Sequence, residues 1–340
     1  MKKQLGRFSF VMFILAAVLC AVILLSLCLG QEPISPARAW GYIRDAFAGR
    51  GGDEPERIIL LSLRWPRLLS GIIAGACLAV AGAVFQGLLR NPLAEPYILG
   101  VSSGAALGVA AGIILEVHLL LGFYTIPFLA VGGALFTMGL IYSLSRTGAR
   151  FSMFSMILSG VIVNAIMSAA IMFIMSLSTD RQLHSIVFWL MGRLDIADAR
   201  LNGLVGAVGA AAMLVIYYYA RDLNVMTLGE DDAHYLGVNV ERVKRILFIA
   251  ASALTACAVS ISGIIGFVGL LVPHFARALV GPDHRLSYPV AAVTGAALLC
   301  VADIVARTAA APTEIPVGVV TALVGGPFFL LILKRKQSSF

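Results

Sequence analysis

Long apolar runs broken by short polar segments set the layout of the chain. Runs near or above about 18 residues mark helices that cross a bilayer, because backbone amides in hydrocarbon must bond within their own helix. They predict spans near 8–29, 67–89, 96–115, 121–143, 153–177, 201–220, 245–266, 270–281, 286–303 and 316–333. The eighth is too short to cross alone and reads as a partial helix, and its seam with the seventh is the least sharply marked. The polar segment 30–66 holds an "EPISP" turn and a predicted interfacial helix through Trp40 to Phe47. Segment 178–200 contains "IVFWLMG", which predicts a short helix lying along the bilayer surface. Trp40, Trp65 and Trp189 fall where amphipathic rings favour the outer interface. The expected fold is all-α, a single polytopic membrane domain over 1–340 with about ten transmembrane helices.

Composition sharpens this picture. Of 340 residues, 60% are hydrophobic and 13% charged, against about a quarter charged in a soluble domain. The net charge of +7 could suggest nucleic acid, but its placement excludes that reading. With the N-terminus inside, segments 1–7, 86–95, 144–152, 221–245, 277–285 and 334–340 hold 15 Lys/Arg against 7 Asp/Glu. The outer segments hold 10 against 11, and all five lysines lie inside. This is the positive-inside rule, and it puts both termini in the cytosol. The five cysteines sit in apolar runs with no C-x-x-C pair and read as small packing residues. The apolar stretch after "MKKQLGR" is longer than a signal-peptide core, so an uncleaved first span is expected despite "ARA" at 37–39.

Two segments echo each other. "FQGLLRNPLAEPYILG" (85–100) and "FVGLLVPHFARALVG" (267–281) share F-x-G-L-L, then a proline, then a glycine eight residues on. Five crossings separate them, so they would point in opposite directions, as inverted repeats around a pathway do. Stretches such as "SSGAALGVAAG" at 102–112 supply the small residues that let helices approach closely in lipid.

What the chain lacks narrows its energy source. No Asp, Glu, Lys or Arg occupies the middle of a predicted span; Asn164 and Asn202 are among the few strongly polar groups there. Glu95, Arg277, Asp303, Arg307 and Glu314 fall near predicted span ends. Proton coupling, which uses an ionisable residue deep in the membrane, is therefore disfavoured. No phosphate-binding G-x-x-x-x-G-K-[ST] loop, no H-E-x-x-H and no G-x-S-x-G occurs. His118, His184, His234, His274 and His284 are scattered rather than grouped as metal ligands. A pump built on this chain needs work from a partner.

The largest predicted cytosolic loop, 221–244, contains "LGEDDAHYLGV". Thr227 and Glu230 have capping-box spacing, and Glu230, Asp231 and Asp232 suit the positive end of a helix dipole. Gly237 is placed to end that helix in a left-handed cap, and Asn239 to start the next one, "VERVKRI". The result is a rigid helix–glycine–helix elbow with Leu228, Tyr235 and Leu236 as an apolar docking side. A plain solvated loop is the competing reading.

The segments "SLRWPRLLSGIIAGACLAVAGAVFQGLLRNPLAEPYILGVSSGAALG", "LGEDDAHYLGV", "GIIGFVGLLVPHFAR", "GPDHR", "ADIVAR" and "EIPVGVVTALVGGPFFLLIL" together resemble the FecCD family over about residues 60–334. These are permease subunits of bacterial ATP-binding-cassette importers for iron-siderophores, haem and cobalamin. The resemblance implies an inverted-repeat, type II importer permease of ten helices in the inner membrane. It implies a homodimer with two ATPase subunits below and a periplasmic or lipid-anchored substrate-binding protein above. ATP and Mg would belong to the ATPase, with no cofactor or metal bound by this chain and no catalytic residue in it. By that likeness Leu228, Gly229, Glu230, Ala233, Leu236 and Gly237 couple to the ATPase. Asn91 and Leu93 of "NPLAEP" match the cytoplasmic gate. Met153 and Phe154 align with a second gate position that is often Ser/Thr in relatives.

Arg64, Arg67 and Arg307 lie on the outer side, against the usual bias. Snorkelling to the interface is one account. The other, which the resemblance supports, is a basic rim that takes the binding protein's carboxylates as bidentate pairs. On that account charge reversal at Arg67 weakens docking and spares dimer assembly. The competing function is an ion-gradient-driven secondary transporter, whose uptake would survive loss of the ATPase and collapse with an ionophore; cobalamin is the alternative cargo to an iron chelate.

Overall fold

The computed structural model describes the chain apart from positions 1, 98, 99, 118, 120, 121, 123, 148, 149, 195–197 and 338–340; His118 thus lies outside the described residues. Among those described, the helices in chain order are α1 (Lys2–Cys28), α2 (Pro36–Phe47), α3 (Pro55–Leu88), α4 (Val101–Ile114) and α5 (Thr125–Leu144). They continue as α6 (Met153–Leu177), α7 (Asp180–Leu190), α8 (Ala199–Tyr218), α9 (Ala220–Met226), α10 (Glu230–Tyr235) and α11 (Val240–Ser262). The last are α12 (Val268–Val280), α13 (His284–Thr308) and α14 (Val317–Gln337). A two-residue antiparallel pairing of Arg146–Thr147 with Arg150–Phe151 joins α5 to α6.

Seven of these helices are long and apolar enough to cross a membrane, and α4, α12 and α14 supply shorter apolar segments. Every one of the ten predicted spans is therefore occupied by a helix. The eighth, α12, is the partial helix its length implied. The third is shorter than expected: its helix starts only at Val101, and the described residues between Leu89 and Gly100 (89–97 and 100) form turns and irregular chain. Both predicted outer helices form. Ser35 caps α2 ahead of Pro36, the proline that can open a helix without losing a backbone bond. α7 carries a capping box of Thr179 with Gln182.

The core is built on α3, which packs against α13, α11, α12 and α8. Its "GIIAGACLAVAGAV" run leaves little side chain between backbones. A Cβ on Gly75 would overlap the Gly295 carbonyl of α13, and one on Gly82 would overlap the Gly269 carbonyl of α12. Two contacts of backbone on backbone thus fix α3 between its neighbours, as expected where dispersion holds helices together. α1, α5, α6, α8 and α14 each pack one face on this core and turn Phe13, Phe136, Phe154, Leu214 and Leu323 outward.

Two expectations are corrected. Trp189 is buried, at 5% exposure, against Ile186, Ala256 and Val259, because α7 folds onto the bundle; only Trp40 (68%) and Trp65 (37%) present their rings outward. The echoed segments do not adopt equivalent backbones. Segment 267–281 is one helix from its first flanking residue to its last, whereas 85–100 is a helix end plus a loop. Instead the two segments touch: Gln86 donates to the Leu270 carbonyl at 3.1 Å and accepts from Arg277 at 2.6 Å.

Candidate functional site

The elbow forms where expected, by partly different chemistry. α10 closes in a full Schellman motif: Val238 N–H bonds the Ala233 carbonyl at 2.9 Å, and Gly237 N–H bonds His234 at 3.0 Å. Gly237 has φ +84°, which glycine adopts without a Cβ penalty. Asn239 caps α11 by accepting the Arg242 N–H at 3.1 Å. The Thr227–Glu230 capping box does not form. Gly229 stands at the helix start, the Thr227 hydroxyl donates to the Asn224 carbonyl at 2.6 Å, and the Glu230 carboxylate is taken by Lys244 at 2.6 Å. A buried ammonium out-competes a backbone amide for that carboxylate. Lys244 also reaches Glu241 at 3.4 Å, so the first turn of α11 grips the elbow.

Ala233 is fully buried under α10, while Leu228 (73%), Tyr235 (90%) and Leu236 (67%) stand out of the fold. Tyr235 on the six-residue helix, with Leu228 before it and Leu236 as its C-cap, thus forms an exposed apolar trio on a capped, ion-paired element. The leading helix α9 is clasped to α13: Asn224 donates to Asp283 at 2.7 Å and accepts the His284 N–H at 2.9 Å. Hydrogen bonds from Arg285, then from Asn224, hold the Asp283 carboxyl down to about 2. Its contribution is therefore complete above the ordinary carboxylate range and is lost only as pH falls through about 2.

Above the elbow sits the loop 89–100. Arg90, at φ +47°, donates to the carbonyl of Met226, the last residue of α9. The Asn91 side chain accepts the Leu93 N–H at 2.9 Å, a local turn that leaves Leu93 42% exposed. Phe154, in the first turn of α6, is 76% exposed, whereas Met153 packs on the main core. Of the second pair, then, only Phe154 projects outward. Farther along, the Glu95 carboxylate accepts the Phe267 N–H at 2.7 Å. Glu95 thus lies near the start of its predicted span, as expected, and is half-buried there. Phe267 begins α12, whose far end at Val280 is about 20 Å of helix away at 1.5 Å per residue.

At the outer end the three arginines are brought together, but as internal staples. The Arg64 guanidinium is buried and donates to the Leu27 carbonyl at 2.6 Å and to that of Glu32. Buried Arg307 pairs with Asp303 at 2.9 Å and bonds the Ser26 carbonyl at 3.2 Å and that of Leu29 at 3.3 Å, tying α1 to α13. Arg67 pairs with Asp303 and Glu314, each at 2.8 Å. The rim of three open forks is not present in this conformation, because each fork already has partners inside the protomer. Glu314, 42% exposed at its side chain, is the partner nearest to water. Charge reversal at Arg67 would also set a third carboxylate beside Asp303 and Glu314, so it perturbs the fold as well as any docking.

A profile of the FecCD transport family matches residues 18–335. The chain belongs to that family. It is 42% identical to the cobalamin import system permease protein BtuC of Halobacterium salinarum, covering 89% of this chain and 82% of the relative. It is 42% identical to the hemin transport system permease protein HmuU of Yersinia pestis, covering 82% and 84%. With the vitamin B12 import system permease BtuC of Escherichia coli O9:H4 the identity is 36%, over 95% and 94%. A solved metal-chelate type ABC transporter in an inward-facing conformation superposes with a TM-score of 0.82 at 29% identity, over 96% of this chain and 99% of that one.

In this FecCD permease the two span asparagines separate into different tasks. Asn202 is spent on structure, donating to the Pro66 carbonyl at 2.8 Å and meeting the Ser70 hydroxyl at 2.9 Å. Asn164 lines a cleft of about 410 Å³ between α4 and α6 with Ser102, Ser103, Ser168 and Met172. The sequence reading missed the contacts that Arg90, Lys244 and Asn224 make around the elbow. Their one local signal was a set of polar side chains beside the elbow and "NPLAEP".

Proposed function

We propose that this FecCD permease is the membrane subunit of an ATP-driven importer that moves a metal tetrapyrrole from the periplasm to the cytosol by alternating access. The elbow is the observation that carries the reading. A fixed knob with Leu228, Tyr235 and Leu236 exposed fits a groove on a cytosolic ATPase, and Arg90 and Asn224 lead from its base into the gate loop and α13. The working unit is a homodimer with two ATPase subunits below and a binding protein above, and both termini face the cytosol. Nucleotide hydrolysis belongs to the ATPase, and this chain supplies pathway and lever. The cargo class follows the relatives, which are named for cobalamin and haem. Docking above uses Arg67, with a binding-protein carboxylate taking the place of Glu314. The test is to purify the permease with its bound subunits, reconstitute it, and offer cobalamin, haem and a ferric siderophore in turn. ATP-dependent uptake of a tetrapyrrole is expected; uptake of the siderophore alone reassigns the cargo, and co-purification without any ATPase overturns the reading.

A further inference from the structure

The gate loop is anchored at both ends, and its far anchor is a carboxylate. Near its start, Arg90 holds the Met226 carbonyl at the base of the elbow. At the other end, Glu95 accepts the backbone N–H of Phe267 at 2.7 Å. Between these anchors lie Asn91 and Leu93. The acceptor is well matched to its site, since the first N–H groups of a helix lack intrahelical partners and carry the positive end of the dipole. Phe267 itself has φ +68°, a backbone region that bulky residues rarely occupy unless their surroundings hold them there. Its ring lies against Gly325 of α14, where a Cβ would collide with it. Pro96 packs against Gly269, in the first turn of α12. The chain of contacts therefore runs from elbow to gate loop, to the head of α12, to α14.

We propose that Glu95 is the positioning residue of the cytoplasmic gate. Its carboxylate pins the 91–97 loop to the head of α12, so that loop and short helix move as one body when the elbow pulls on Arg90. Without the pin, the loop would swing on Arg90 alone, and elbow motion would no longer set the exposure of Leu93. This role deepens the importer reading and rests on it, but its first readout, the accessibility of the gate, needs no transport.

Labelling uses the complete importer in inside-out vesicles, with Leu93→Cys as a reporter for a membrane-impermeant maleimide, and uptake is measured on the same substitutions with native Leu93 in proteoliposomes that enclose ATP. Glu95→Ala is expected to raise the labelling rate about tenfold and abolish its dependence on nucleotide, as loss of one charge-assisted hydrogen bond would. Uptake should fall by a similar factor while ATP hydrolysis stays within about twofold. Glu95→Gln, which keeps an acceptor oxygen, should restore part of the nucleotide response. A second construction guards against a folding defect. The Cβ position of Gly266 lies 4.0 Å from a Glu95 carboxylate oxygen, so Glu95→Cys with Gly266→Cys can be bridged by a short bifunctional reagent. If loop and helix are one body, bridging restores the uptake that the paired substitutions lose. Unchanged labelling and uptake in Glu95→Ala would overturn the proposal, and so would a bridge that blocks transport. A complex with native Leu93 and Glu95 that hydrolyses ATP but shows no uptake would instead count against the importer reading.

Discussion

At the scale of residues, the outer arginines show how one side-chain type serves two ends. Arg64 and Arg307 bond main-chain carbonyls at 2.6–3.3 Å and hold the end of α1 on the bundle. Breaking a buried charge network by removing one partner costs about 3–5 kcal/mol, so their substitution tests the fold before it tests docking. Arg67 differs because one of its two partners, Glu314, is 42% exposed, and an exposed pair contributes at most about 1 kcal/mol. An incoming carboxylate can displace that partner while Asp303 keeps Arg67 in place. Glu314→Gln should therefore strengthen docking of the loaded binding protein by about threefold to tenfold, measured by surface plasmon resonance on the reconstituted permease. Weaker docking would show that Glu314, and not Arg67, meets the partner.

At the scale of elements, the elbow was legible in advance wherever its chemistry is local. Gly237 and Asn239 announce a left-handed cap and a helix start because cap geometry involves residues within four positions. Thr227 and Glu230 misled for the complementary reason: a capping box competes with any stronger partner, and Lys244, fourteen positions from Glu230, is stronger. That grip should matter more to coupling than to stability. Lys244→Met keeps the buried apolar stem and removes the charge. With Glu230 46% exposed, the loss should be about 1 kcal/mol, while uptake per ATP hydrolysed should fall several-fold. The check is paired measurement of thermal unfolding and of transport-to-hydrolysis ratio. Equal loss of both would reduce Lys244 to a structural role.

At the scale of the whole molecule, the permease is a dense axis of small-residue helices ringed by helices with apolar outer faces. It has an apolar knob below and a knot of paired charges above. Glu95, a half-buried carboxylate near a predicted span end, is held by a backbone amide, an arrangement that suits a pin rather than a proton relay. Liposomes containing this polypeptide alone should not accumulate tetrapyrrole uphill under an imposed proton or sodium gradient; accumulation there would replace the ATP-driven account with secondary transport. The sequence by itself determined the ten apolar helical segments, the lack of a phosphate-binding loop motif and the elbow's two caps. Each follows from period, charge placement or neighbours a few residues apart. Only the tertiary structure decided that Asn202 is structural while Asn164 lines a cleft, that the outer arginines are internally paired, and that Glu95 meets Phe267. Those contacts join residues 132, 236 and 172 positions apart. Such partners are chosen by which helices pack together, and apolar spans of similar composition carry no local mark of that choice.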